Sequence, residues 1–212
     1  ITGGPTREAI DPVRFVTNHS SGKMAYALAD EAAAAGAKVT LISGPVNVQA
    51  SSVISRIDVK SASQMHQAVM DRVESFDVFI GVAAVADYRP EFPAKQKIKK
   101  VEEKLTLRFL KNPDIISEVS NMKNKPFVVG FAAETNSIIK NAKRKLEGKK
   151  LDLIFANNAT ETFDSDAISA TAISSDFEQE ILAGNKNSVA RIMLQIIFDV
   201  MDRKIKLSDG RK

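Results

Sequence analysis

The stretch Ser21–Gly44, SGKMAYALADEAAAAGAKVTLISG, decides the fold class. Its first part is rich in alanine, the strongest helix former, and ends at Gly36, a residue type favoured directly after a helix. The run Lys38–Ser43 (KVTLIS) is apolar and lies between Gly36 and Gly44, which predicts a buried strand. A helix that leads directly into a buried strand is typical of α/β proteins.

The same alternation continues along the chain. Further buried strands are predicted at Val53–Val59, Asp77–Ala83, Leu105–Leu110, Phe127–Ala132 and Leu151–Ala156. Helices are predicted at Ser21–Ala35, Ser61–Ser75, Pro113–Met122, Ser137–Leu146 and Asn187–Arg203. Strands that alternate with helices favour a mostly parallel sheet with right-handed crossovers.

The C-terminal part departs from this alternation. Ile168–Ser174 and Phe177–Ala183 predict a β-hairpin, so we expect an antiparallel edge on the sheet. No interdomain linker is visible, and we expect one domain over residues 1–212, with a frayed tail at 204–212. Ile1–Pro5 has the character of a strand end, so we expect further sequence upstream of Ile1.

Composition excludes several classes of protein. The 212 residues include no cysteine, which rules out a disulfide scaffold, thiolate metal sites and a cysteine nucleophile. This usage fits a reducing cytoplasm, the compartment that we expect. No apolar run approaches the ~18 residues that a membrane span needs, so we expect no membrane association.

The net charge of +4 is unevenly distributed. Lysine and arginine concentrate in Lys95–Lys104, Lys140–Lys150 and Asp202–Lys212. Local positive clusters on a balanced chain suggest anionic ligands at defined places, although such runs also occur as solvated surface faces. Residues 95–104 belong to a stretch with two prolines and five lysines, Pro90–Lys104, which predicts a mobile loop.

Two glycine-containing loops are candidates for anion binding. Thr2–Glu8 (TGGPTRE) follows a strand end, and glycine there allows close approach of the backbone to a ligand. Asn18–Met24 (NHSSGKM) precedes the alanine-rich helix, where free N–H groups favour an anion. The second loop lacks the spacing of a P-loop. A structural turn and a helix cap from Ser20 or Ser21 are the alternatives.

A third motif, Gly81–Arg89 (GVAAVADYR), runs from a strand into small residues and one carboxylate. The small residues leave room for a flat ligand, and Asp87 could bind a hard cation such as Mg²⁺. A turn-capping aspartate is the alternative. In the lysine-rich loop, one of Lys97–Lys100 (KIKK) could neutralise negative charge that develops during a reaction.

The remaining candidates lie in the second half of the chain. Lys111–Ile115 (KNPDI) predicts a helix with an Asn112 cap and Pro113 in its first turn, and the N–H groups there could hold phosphate. Phe131 lies at a strand end and could stack on a base. Lys145 and Lys149 are four residues apart and so share one helix face. The alternatives are a core phenylalanine and a solvated lysine face.

These motifs, in this order, resemble the phosphopantothenate–cysteine ligase family, and the match covers nearly the whole chain. The resemblance implies a Rossmann-like, three-layer α/β fold, a homodimer, and Mg²⁺ or Mn²⁺ as the metal. It implies CTP as co-substrate in the bacterial type, and ATP in the animal type. In many bacteria the domain is the C-terminal half of a protein whose N-terminal half is a flavin-dependent decarboxylase, and we expect that arrangement here.

The reaction that the resemblance implies belongs to coenzyme A biosynthesis and has two halves. The carboxylate of 4′-phosphopantothenate attacks the α-phosphorus of CTP, giving an acyl-cytidylate and pyrophosphate. The amine of L-cysteine then attacks the acyl carbon and releases CMP. Neither half requires a protein nucleophile, which agrees with a chain that has no cysteine and no catalytic triad motif.

The resemblance also implies roles for individual residues. Catalytic roles fall to Asn18, beside the acyl group, and Lys97, in the activation step. The nucleotide-binding residues would be Gly3, Ser20, Gly22, Gly81, Val82, Ala83, Asp87, Lys97, Pro113, Asp114, Ile115, Ile116, Phe131, Lys145, Lys149 and Asn157. The substrate-binding residues would be Arg14, Asn18, Ala83 and Ala84, and the metal ligand would be Asp87.

Other functions agree less well with the sequence. The same ligation with ATP is the first alternative, and a non-catalytic nucleotide-binding module is the second. A Rossmann-type oxidoreductase is disfavoured because the chain has no GxGxxG motif. An RNA-binding module would need aromatic side chains among the lysines, and the three basic runs contain none. We therefore expect small-molecule substrates and no nucleic acid.

Overall fold

The computed structural model describes residues 1–100, 103–158 and 167–208. The strands in chain order are β1 Thr2–Gly3, β2 Arg7–Ala9, β3 Phe15–Thr17, β4 Thr40–Ser43, β5 Ser55–Asp58, β6 Val78–Gly81, β7 Tyr88–Pro90, β8 Phe109–Lys111, β9 Phe127–Glu134, β10 Leu153–Asn158, β11 Ala167–Ile173 and β12 Glu178–Asn185. The α-helices are α1 Lys23–Ala34, α2 Ala62–Met70, α3 Ile115–Ser120, α4 Ile138–Gly148 and α5 Lys186–Ser208.

Eight of the described strands form one mixed sheet in the order β12-β11-β10-β9-β6-β1-β4-β5. The pairs from β10 to β5 are parallel, while β11 pairs antiparallel with both β10 and β12. The predicted α/β class, mostly parallel sheet and C-terminal antiparallel hairpin are therefore confirmed. The chain has three layers because helices cover both faces of this sheet.

The strands divide their apolar side chains between the two faces, as the twofold repeat of a strand requires. Val129 and Leu41 belong to the core that contains α1 and α5. Their neighbours Val128 and Ile42 belong to the core that contains α2 and α3, and Ile154 packs with α4. Each buried side chain of this size contributes about 1.5–3 kcal/mol to stability, so both helical layers are firmly attached to the sheet.

Some boundaries differ from the predictions. The predicted strand Leu105–Leu110 is wrong as a member of the main sheet: β8 pairs antiparallel with β7 in a separate ribbon. All three β8 residues are exposed, so this apolar run is not a buried strand. Strands β2 and β3 form a second ribbon that the sequence did not predict, because strands of three residues leave no clear periodicity.

Helix α5 ends later than predicted. It continues through Ser208, so residues 204–208 of the expected frayed tail are helical, and 209–212 lie outside the described residues. Lys204 on this added turn forms an ion pair with Asp152, a buried carboxylate that also accepts from Lys125. These contacts hold the extra turn. In the part of the chain that the structure describes, no helix is both long and apolar enough to cross a membrane.

Candidate functional site

A cleft of about 590 Å³ lies where several parallel strands end. Its walls include residues at or just beyond the carboxyl ends of β1, β6, β9 and β10, together with the start of α1 and of α3. Ligands of open α/β sheets bind at this edge, where crossovers on opposite faces diverge. The fold thus brings together the sequence motifs that follow separate strands.

Glycine turns form one wall of the cleft. Gly4 and Gly22 have φ values of 71° and 75°, in the left-handed region that glycine adopts without strain. A Cβ on either residue would lie within 2.8 Å of Val46 Cγ1, so the space also requires glycine. A ligand at this wall can therefore approach the backbone closely.

The serines of this wall do not cap the helix. Among the described residues, no side chain caps the N-terminus of α1, whose N-cap residue is Gly22. Ser20 Oγ instead accepts a hydrogen bond from Gly22 N at 3.3 Å. Among the described residues, the alternative to an anion site, a serine cap on α1, is thus not seen. The start of α1 lines the cleft through Lys23, Met24 and Ala25.

The small residues after β6 form the floor. Thr6 Oγ1 accepts a hydrogen bond from Ala86 N at 2.9 Å, and Pro5 forms an isolated bridge with Ala84. Asn18 donates from Nδ2 to Ala84 O at 2.9 Å. This bond positions the Asn18 amide beside Ala84, to which the family resemblance gives a substrate-binding role.

Two lysine–carboxylate pairs form the opposite wall. From α4, the Lys145 ammonium lies 2.7 Å from Glu134 Oε1, and Lys149 lies 2.8 Å from Asp114 Oδ2. Burial raises the pKa of Asp114, but hydrogen bonds from Lys149 and Ser117 outweigh that effect and hold this pKa below its ordinary value. Both carboxylates are therefore partners for the lysines to which the family resemblance gives a nucleotide-binding role.

Glu134 is a functional candidate that is not among the predicted site residues. It ends β9, and its buried Oε1 contacts the Lys145 ammonium as an ion pair. The other oxygen accepts from Asn141 Nδ2 at 3.3 Å. A carboxylate at the carboxyl end of a predicted strand, followed by lysines at helical spacing, is the signal that could have identified it.

The start of α3 differs from the prediction. Asp114, rather than Asn112, is the N-cap residue, and its side chain accepts from Ser117 N at 3.2 Å. Buried Asn112 instead donates to Ala86 O at 2.8 Å and accepts from Arg89 at 2.9 Å. Asn112 thus joins the β6 floor to the α3 wall, a long-range role that local sequence cannot reveal.

Sixteen of the predicted site residues line this one cleft, although lining does not test their roles. They are Asn18, Ser20, Gly22, Gly81, Val82, Ala83, Ala84, Asp87, Pro113, Asp114, Ile115, Ile116, Phe131, Lys145, Lys149 and Asn157. Phe131 also contacts Phe155, with ring centroids 5.3 Å apart. The cleft is also lined by polar residues to which the sequence motifs gave no site role. They include His19, Lys23, Lys111 and Lys186.

Three predicted residues lie outside the cleft lining. Gly3 is buried beneath α1, where a Cβ would lie 2.6 Å from Ala25 Cβ, so the cleft glycine of this loop is Gly4. Arg14 lies in the turn between β2 and β3, where it pairs with Asp11. Lys97 lies in the loop after β7 and is exposed.

Asp87 is the candidate metal ligand, and it is exposed at the cleft. Among the described residues, no group of three or more His, Asp or Glu side chains could hold a metal ion. Mg²⁺ commonly binds through one or two carboxylates together with substrate phosphates and water. Asp87 fits that mode, and a metal here would depend on a bound phosphate.

Comparisons with known proteins agree with the geometry. Residues 1–201 match the family model described as the DNA/pantothenate metabolism flavoprotein C-terminal domain. The coenzyme A biosynthesis bifunctional protein CoaBC of Vibrio vulnificus strain YJ016 is 50% identical over 200 residues, which are 93% of this chain and 50% of that protein. The CoaBC protein of Escherichia coli K12 is 44% identical over 96% of this chain and 52% of its own length.

A solved structure gives the same result. The crystal structure of the C-terminal domain of a CoaBC protein superposes with a TM-score of 0.80 at 38% sequence identity. The match covers 95% of this chain and 94% of that one. The chain therefore spans about half the length of the bifunctional relatives that it matches, and nearly all of the isolated domain.

Proposed function

The chain belongs to the family of DNA/pantothenate metabolism flavoprotein C-terminal domains, and from this premise we propose that it is a ligase of coenzyme A biosynthesis. It joins 4′-phosphopantothenate to L-cysteine, with CTP converted to CMP and pyrophosphate. The cytoplasm is its compartment. The full protein to which it belongs carries a second activity, that of a flavin-dependent decarboxylase, because its relatives are bifunctional and twice as long.

One observation carries the proposal: Lys145 and Lys149 line the same cleft as the glycine turns at Gly4 and Gly22. Two lysines and the start of α1, which has no side-chain cap among the described residues, suit a polyphosphate because all of them supply positive potential to one space. Glycine at the turns lets the phosphates approach the backbone. Phe131 lies in the same cleft and offers an aromatic face to the base.

The chemistry needs no nucleophile from the protein. The substrate carboxylate attacks the α-phosphorus, the bond from that phosphorus to the bridging oxygen breaks, and pyrophosphate leaves. The cysteine amine then attacks the acyl carbon, and CMP leaves. The chain's own contribution is to hold these anionic groups together and to offset their repulsion.

Asn18 and Lys97 act on different halves of this reaction. The Asn18 amide, held at Ala84 O, lies over the segment proposed to bind the acyl group. Lys97 offsets negative charge during activation. It does not line the cleft of its own chain, so it serves the cleft of a second copy of the chain.

We propose Mg²⁺ as the metal, with Mn²⁺ as a substitute, held by Asp87 and the phosphates of the nucleotide. When bound, the ion would neutralise phosphate charge and orient the triphosphate. The exposed Asp87 carboxylate supplies the protein's ligand, and the lysines of α4 supply the remaining positive charge.

The direct test is pyrophosphate release with 4′-phosphopantothenate and Mg²⁺, comparing CTP with ATP in the presence and absence of cysteine. We expect release that depends on phosphopantothenate, is faster with CTP, and yields CMP only when cysteine is present. Equal rates with ATP would overturn the choice of nucleotide. No release with either nucleotide from folded protein would overturn the proposed activity.

A further inference from the structure

Asp11 is a buried carboxylate with an unusually complete set of partners. Its side chain has no exposed surface, and its Oδ1 accepts from the backbone N–H groups of Val13 and Arg14, both at 2.8 Å. Its Oδ2 accepts from Arg14 Nε at 3.0 Å and Nη2 at 2.5 Å. The turn between β2 and β3 is thus built around this one carboxylate.

The same carboxylate reaches a distant part of the chain. Ile98 N donates to Asp11 Oδ2 at 3.1 Å, and Arg14 Nη2 donates to Ile98 O at 2.9 Å. Both backbone polar groups of Ile98 are therefore held by the Asp11–Arg14 pair, 84 to 87 residues away in the sequence. Hydrogen bonds to charged groups are stronger than neutral ones, so this is a firm attachment.

A second anchor lies four residues earlier. Ala94 N donates to Ile10 O at 2.8 Å, so the segment 94–98 is tied to the β2–β3 turn at both ends. Lys97 lies between the two anchors and directly precedes Ile98. The segment belongs to the loop expected to be mobile over 95–104, of which residues 101–102 lie outside the described part of the chain.

We propose that Asp11 is a positioning residue for Lys97, because it fixes the backbone from which the Lys97 side chain extends. The inference rests on the proposed function, which gives Lys97 its role in activation. Asp11 itself is buried and does not line the cleft, so it acts through the segment and not on the substrate.

The Arg14 guanidinium holds the pKa of Asp11 well below its ordinary range, although burial alone would raise it. The carboxylate is therefore charged at neutral pH. Replacing it with asparagine keeps the shape, removes the charge and leaves one oxygen as acceptor. Asp11→Asn is accordingly the variant of choice.

The first experiment measures the anchoring without any substrate. Trypsin cuts after lysine, so the rate of cleavage after Lys95, Lys97 and Lys99 reports how often the segment detaches. We expect these cuts to be about tenfold faster in Asp11→Asn. The matched control is Asp58→Asn, which removes the carboxylate of the exposed Arg56–Asp58 pair on β5. Equal cleavage rates in wild type and Asp11→Asn would overturn the anchoring.

The second experiment asks whether the anchoring acts through Lys97. We expect Asp11→Asn to lower kcat for pyrophosphate release with little change in the KM for CTP. In the Lys97→Gln background, Asp11→Asn should cause no further loss of kcat, because the lysine side chain that Asp11 positions is no longer present. Additive losses in the double variant would show a general structural effect and overturn the inference.

Ile98→Pro guards against a folding defect at the turn. It removes the N–H group that donates to Asp11 and leaves Asp11, Val13 and Arg14 unchanged, while also restricting the backbone of Lys97, the residue before it. We expect it to reproduce the loss of kcat seen in Asp11→Asn, with unaltered thermal unfolding. Wild-type kcat in Ile98→Pro would contradict the proposal. If wild-type protein releases no pyrophosphate at all, the proposed function fails, while the trypsin comparison still decides whether Asp11 anchors the segment.

Discussion

At the scale of single residues, two lysines of the cleft already have carboxylate partners before any ligand binds. Lys145 pairs with Glu134, and Lys149 pairs with Asp114. The Lys145 side chain is 41% exposed and that of Lys149 is 33% exposed, so a polyphosphate can reach both ammonium groups. An incoming anion must therefore compete with the protein's own carboxylates for these lysines.

Neutralising Glu134 should favour the ligand in this competition. We expect Glu134→Gln to bind pyrophosphate about fivefold more tightly by calorimetry without metal, since a partly exposed ion pair is worth up to about 1 kcal/mol. Glu178→Gln is the control. It removes the carboxylate partner of Lys143, which lies on the same helix, α4, in an exposed ion pair. Weaker binding in Glu134→Gln would mean instead that Glu134 orients Lys145 for the phosphates.

Lys97 is predicted to serve the activation half-reaction. Replacing it with glutamine removes the positive charge proposed to face the reacting phosphorus, and we expect pyrophosphate release to slow by a factor of about 10². Single-turnover pyrophosphate detection measures this, with Lys99→Gln in the same loop as the control. A wild-type rate in Lys97→Gln would remove Lys97 from the mechanism.

Asn18 is predicted to serve the second half-reaction. In Asn18→Asp the donor to Ala84 O is lost, and a carboxylate faces that carbonyl oxygen and the acyl group. We expect attack by the cysteine amine to slow more than activation, so that acyl-cytidylate accumulates. Quenched reactions analysed by mass spectrometry test this. Slow pyrophosphate release without any accumulated intermediate would contradict it.

At the scale of elements, the sequence was sufficient where local pattern decides structure. The alanine-rich run forms α1, and Ser61 with Gln64 forms the predicted capping box at α2. The two ribbons could not be predicted, because their three-residue strands are determined by long-range bonds such as that from Arg7 N to Lys60 O. The same holds for Asp11, whose partner Ile98 no local pattern reveals.

Gly3 illustrates how one element depends on another. Its missing side chain lets α1 lie directly on β1, and a Cβ there would overlap Ala25 Cβ. We expect Gly3→Ala to lower the free energy of unfolding by about 1–3 kcal/mol in urea titrations. Gly148→Ala, at the end of α4 with nothing within 4 Å of the added carbon, is the control and should be neutral or slightly stabilising. Equal stability of the two variants would show that α1 can shift at no cost.

At the scale of the whole molecule, sequence motifs located most of the cleft, because strand ends of one parallel edge must meet. The motifs could not place Arg14 and Lys97, which lie outside the cleft. Both belong to the side of the molecule that carries the β2–β3 and β7–β8 ribbons. That side also exposes large apolar side chains, including Phe15, Val16, Phe109 and Leu110. Exposed apolar groups of this size on both ribbons favour contact with another protein surface.

We propose that this surface is where two copies of the chain pair. Val16→Asp should then convert a particle of twice 23.1 kDa, measured by light scattering, into a monomer of 23.1 kDa. Leu207→Asp, at an exposed leucine on α5, is the control and should leave the mass unchanged. A wild-type mass of one chain at working concentration would refute the homodimer.

The position of β1 has a consequence for how the sheet assembles. This strand of two residues lies between β4 and β6, and Thr2 pairs with both Ile42 and Gly81. Contacts between residues so far apart along the chain form slowly, because a long loop must close before they are gained. The C-terminal hairpin needs only its own neighbours, so we expect the sheet to grow from its edges and to be completed at its centre, where β1 enters last.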